Sequence, residues 1–112
     1  MNEEVLDWKG ILSTGTYPRA EYTKLLREFM TRERDTAGQI EQALKNGHSE
    51  EARALVHSIK EAAGNLGAKA LAAASLELEI AIKAGADTAP VFGHFSSAHT
   101  DALVSMHTFL SQ

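Results

Sequence analysis

From Glu3 to Leu12 the apolar positions are Val5, Leu6, Trp8, Ile11 and Leu12, a spacing that predicts a short first helix. Ser13-Thr14-Gly15-Thr16, a cluster of turn-forming residues, closes it. Helical periodicity resumes after Pro18 with Tyr22, Leu25, Leu26, Phe29 and Met30, and continues through Ala37, Ile40 and Leu44. With no strong breaker in between, it predicts one long amphipathic helix that ends at Asn46-Gly47.

Ser49 then offers an N-cap, and Glu50 and Glu51 fall in the first turn, where the helix dipole favours negative charge. The third helix carries a core stripe of Ala52, Leu55, Ile59, Ala62 and Leu66 and stops at Gly67. A fourth sets Leu71, Ser75, Leu78 and Ile82 on one face and closes on Lys83-Ala84-Gly85. The last runs from about Pro90 to Leu110 with Val91, Phe95, Ala98, Ala102, Met106 and Phe109 inward. No segment alternates as a strand. The pattern therefore predicts an all-α fold: an antiparallel up-down four-helix bundle with a short additional N-terminal helix capping one end.

Composition narrows the function classes. A chain of 112 residues with 44% hydrophobic and 23% charged residues, and no change of composition along its length, fits a single domain over 1–112. Eleven basic against fifteen acidic side chains give a net charge of −4 with no basic block, which argues against nucleic acid as a partner. No stretch is long and apolar enough to span a membrane, and Met1-Asn2-Glu3-Glu4 is acidic where a signal peptide is basic. With no cysteine there is neither a disulfide framework nor a thiolate site, so a cytoplasmic location is the expectation.

The third helix holds the most informative polar face. His57 lies about 200° around the helix from both Leu55 and Ile59, on the side away from the core stripe. Arg53, Lys60, Glu61 and Gly64 share that outward stripe. An imidazole held between two cations can act as a nucleophile toward phosphorus, with Arg53 and Lys60 stabilising the phosphoryl group it gains. Spacing alone suits a plain surface histidine at least as well.

The run His57-Ser58-Ile59-Lys60-Glu61-Ala62-Ala63-Gly64-Asn65-Leu66-Gly67-Ala68 resembles the signature of histidine-containing phosphotransfer domains. That signature has an apolar residue two places after the histidine, lysine three after, glycine four after, and an apolar-Gly-Ala ending. Leu78-Glu79, Leu25-Leu26 with Phe29, and Ala43-Leu44-Lys45-Asn46-Gly47 match the family as well, so the resemblance covers essentially the whole chain. It implies a phosphocarrier without a kinase or hydrolase site of its own. His57 would take a phosphoryl group, through Nε2, from the aspartyl phosphate of a response-regulator receiver domain and pass it to another receiver. The implied partners are receivers and a hybrid sensor histidine kinase, and the implied state is a monomer. No cofactor or metal is implied for the chain itself, and magnesium would belong to the receiver.

Glu61 departs from the pattern, standing where the family has glycine. It narrows the space beside the acceptor and adds a like charge worth about 1 kcal/mol at an exposed site, unless it turns toward Lys60 or Asn65. An alternative follows: a degenerate bundle that is not phosphorylated and docks a receiver or kinase as an interaction module. By the same resemblance, some of Leu6, Trp8 and Ile11 are expected to belong to an apolar ring meeting the receiver. Glu79 matches a family glutamate and is expected to orient a neighbouring helix, while Lys69 and Lys83 read as solvated surface charges. His48 reads as loop, and the offsets of His94, His99 and His107 along the last helix do not gather a metal site.

Overall fold

In the computed structural model, which describes residues 4–112, the chain forms six helices and, among the described residues, no strand. They are α1 (Trp8–Ser13), α2 (Arg19–Glu33), α3 (Thr36–Lys45), α4 (Ser49–Leu66), α5 (Lys69–Ala84) and α6 (Ala89–Leu110). Short connections reverse the chain between α3, α4, α5 and α6, and the path α2–α3 with α4, α5 and α6 makes the predicted all-α bundle. Its inner faces bury Tyr22, Leu26, Phe29, Ile40, Val56, Ile59, Leu71, Leu78, Phe95 and Met106.

The long helix expected from Pro18 to Asn46 is two helices, parted at Arg34–Asp35. Between Met30 and Ala37 the sequence is Thr31-Arg32-Glu33-Arg34-Asp35-Thr36, with no apolar residue to hold a continuous stripe against the core. Asp35 leaves helical geometry at φ −110°, ψ 3°, and the Thr36 hydroxyl donates to the Arg32 carbonyl at 3.2 Å.

The first helix starts at Trp8 and not at Glu3, which lies outside the described residues. Asp7 sets the boundary: its carboxylate accepts from the Gly10 amide at 3.0 Å. Ahead of it the backbone serves the α4–α5 turn instead of a helix. The Asp7 amide donates to the Gly67 carbonyl at 2.9 Å, and the Ala70 amide donates to the Glu4 carbonyl at 2.6 Å. Gly67 itself has φ +86°, and a Cβ there would stand 2.9 Å from Ile11 Cγ1, so both the turn and the seating of α1 require glycine.

Two smaller corrections concern α4. Its central buried positions are Val56 and Ala63, with Leu55 and Ala62 only half-buried, because the helix presses most closely on α5 and turns that flank inward. Ser49 is the first helical residue and makes no capping bond. His48 holds the cap position, because Gly47 at φ +73° returns the chain to helix at once.

Candidate functional site

α4 presents Arg53, His57, Lys60, Glu61 and Gly64 along its outer flank, as their spacing requires. His57 is 47% exposed. Opposite it, on α5, stands Glu79, whose side chain is only 4% exposed. An ionised carboxylate at that depth must be paired, and this one has four partners. Its Oε1 accepts from Lys60 Nζ at 2.9 Å, and its Oε2 lies 3.0 Å from His57 Nδ1. Arg53 Nη1 and Lys83 Nζ stand 3.7 and 3.8 Å from Oε2. The Lys60 hydrogen bond, against the opposing effect of burial and with help from His57, holds the Glu79 carboxyl below the usual carboxylate range.

This arrangement redirects the two cations expected to flank the imidazole. Arg53 and Lys60 both reach across to α5, and Arg53 also meets Glu50 at 3.3 Å. Lys83, expected to be a plain surface lysine, completes the cluster. Because Glu79 is ionised and can only accept, the hydrogen bond assigns the imidazole proton to Nδ1 and leaves the lone pair on Nε2. Glu61 Oε1 lies 3.5 Å from Nε2, too long for a good hydrogen bond, and the side chain does not turn to Lys60. Gly64 has open space where a Cβ would be, so no packing inside the chain demands glycine there.

Glu79 was foreshadowed only as a helix-orienting residue. Its position carried a stronger signal: it follows Ser75 by one turn and precedes Ile82 by three residues, on the border of the buried stripe of α5. A carboxylate there needs cations from a neighbouring helix, and Arg53 and Lys60 are spaced to supply them.

Other expected residues lie elsewhere. Leu6 is a core residue, Trp8 packs on Phe109 with centroids 5.1 Å apart, and Ile11 lies against Gly67. These three sit by the α4–α5 turn, about 15 Å along α4 from His57, and do not form a ring around it. Lys69 pairs with Asp7 at 3.0 Å in the same region. His48 and His94 stand by Glu51 and Glu77 at 3.7 and 3.5 Å, while His99 is buried. Among the described residues no group of three His, Cys, Asp or Glu side chains is placed to hold a metal ion, and no helix is long and apolar enough to cross a membrane.

The described residues thus make an all-α bundle that displays an imidazole on α4, hydrogen-bonded to a carboxylate of α5. The model of the Hpt domain family matches residues 24–103, more than half of the chain, from within α2 to within α6. The chain belongs to the Hpt (histidine-containing phosphotransfer) family, whose members are phosphocarrier modules of two-component systems and interact with receiver domains and kinases. No curated protein and no solved structure matches it.

Proposed function

We propose that the protein is a phosphorelay intermediate in which His57 accepts a phosphoryl group from a receiver's aspartyl phosphate and passes it to a second receiver. The observation that carries this reading is the 3.0 Å contact between His57 Nδ1 and Glu79 Oε2. As Nε2 attacks phosphorus, the P–O bond to the aspartate breaks, a carboxylate leaves, and the ring, still protonated on Nδ1, acquires positive charge. Glu79 is already in place beside Nδ1 to balance that charge. The return step reverses these bonds on the second receiver.

Arg53, Lys60 and Lys83 keep Glu79 ionised and fixed, so their role is to position the ring through that carboxylate. Glu61 and Gly64 lie on the surface that a partner must cover. The chain acts as a carrier and has no kinase or hydrolase chemistry of its own; magnesium is supplied by the receiver. A monomer that leaves the α4 face free, working in the cytoplasm with receivers and a hybrid sensor kinase, fits this role. A second reading, an unphosphorylated docking module, draws on one observation: the Glu61 carboxylate beside Nε2.

Incubation with a phosphorylated receiver, followed by intact mass, separates the two readings. The relay reading expects one added phosphoryl group that is acid-labile and absent from His57→Gln. Receiver binding with no mass gain would overturn it in favour of the docking module.

A further inference from the structure

Among the described residues, Glu61 is the carboxylate of the site that pairs with no lysine or arginine of its own chain. Lys60, Lys83 and Arg53 are drawn to Glu79, and Arg53 also to Glu50. Glu61 is 63% exposed and its ion-pair contact is with His57 Nε2 at 3.5 Å. Around the imidazole, Glu61 thus stands by Nε2, while Arg53, Lys60 and Lys83 gather on Glu79, which contacts the other ring nitrogen. The charged side chain beside Nε2 is therefore negative.

We propose that Glu61 is a selectivity gate over His57 Nε2, closed to small anionic phosphoryl donors and opened by a protein partner that presents lysine or arginine to its carboxylate. The proposal rests on the reading of His57 as phosphoacceptor and adds what decides access to it. The side chain is free to swing: it is exposed, and its contact with Nε2 is too long to hold it. A partner's cation draws the carboxylate off Nε2 and brings positive charge to that side of the ring. A small donor brings net negative charge and no side chain to hold the carboxylate away, and leaves the gate where it is.

Phosphoramidate is the small probe. In its reaction the P–N bond of the donor breaks, ammonia leaves, a P–Nε2 bond forms, and the Nδ1 proton stays against Glu79. The rate of mass gain is measured for the unmodified protein, Glu61→Gln and Glu61→Lys, first with phosphoramidate and then with a phosphorylated receiver. With phosphoramidate at low salt, Glu61→Gln reacts about fivefold faster, the equivalent of ~1 kcal/mol for an exposed like-charge contact, and Glu61→Lys faster still. Molar salt shrinks the difference, since it screens exposed charges. With the receiver the order reverses, and Glu61→Lys is slowest because it repels the partner's cation.

Equal phosphoramidate rates in all three proteins would overturn the gate and leave His57 as acceptor. A rise of the same size with both donors would also overturn it, showing that Glu61 obstructs without selecting. Absence of label in every protein, with both donors competent toward another histidine carrier, would overturn the relay reading and the gate together. Glu61 is exposed on the outer face of α4, so these variants keep the fold.

Discussion

At the scale of single residues, the pairing of His57 with Glu79 makes the most specific demands. Removing the charge in Glu79→Gln weakens a charge-assisted hydrogen bond, and the loss of about 1.4 kcal/mol of orientation and charge balance slows transfer from a receiver about tenfold. A slower rate alone would not distinguish chemistry from damage. Nitrogen-15 NMR of the imidazole does: the native protein shows the proton on Nδ1, and the variant shows a mixture of tautomers. The same carboxylate gives a pH signature. Its folded pKa is depressed, so its stabilising effect is whole above the ordinary value of 4.5 and is lost as pH falls through the lowered folded value. Melting curves of native protein and Glu79→Gln therefore keep a constant separation at neutral pH and converge in acid. His99 behaves differently. It is 4% exposed, its Nε2 has no hydrogen-bond partner, and burial lowers its pKa despite the opposing pull of Glu33. Above its ordinary value of 6.5 it carries no charging penalty, and the penalty grows as pH falls below 6.5 toward the folded value. His99→Leu is expected to be more stable by about 1 kcal/mol, read as a higher melting temperature, and to lose the decline in stability over that window.

At the scale of elements, periodicity foretold the helices that bury a broad stripe and erred where the stripe lapses. Leu71, Leu78, Phe95, Ala102 and Met106 lie where their spacing puts them. The run from Thr31 to Thr36 contains no glycine or proline, and only the absence of apolar residues marked the break between α2 and α3. The candidate site divides in the same way. That Arg53, His57, Lys60, Glu61 and Gly64 share one face of α4 was legible, because residues on one helix are related by a fixed rotation. The partner on α5 was not, since which residue of one helix faces which of another is fixed by packing and not by spacing. Gly67 tests the joint between those helices. Gly67→Ala places a methyl group against Ile11 and holds alanine at a left-handed φ, and is expected to cost about 2 kcal/mol by urea denaturation. Gly85→Ala, with a left-handed φ but open space around it, is expected to cost about 1 kcal/mol.

At the scale of the whole molecule, Tyr22 ties the first layer of the bundle to the end of the helix that carries the histidine. Its hydroxyl donates to the Leu66 carbonyl at 2.6 Å in the core, and burial raises its pKa well above the ordinary range, so the group stays a donor at any working pH. Tyr22→Phe leaves that carbonyl without its partner and is expected to lower stability by about 1–2 kcal/mol, read as a lower denaturation midpoint with an unchanged slope. The His57–Glu79 contact has a larger consequence. The carboxylate that sets the ring proton is borrowed from a neighbour, so an excised α4 peptide would contain the entire histidine motif and still lack the group that holds its ring proton on Nδ1. The fixed ring proton is in this sense a property of assembly: a half-folded chain carries the same histidine without the carboxylate that orients it, and only the packed pair of α4 and α5 presents both.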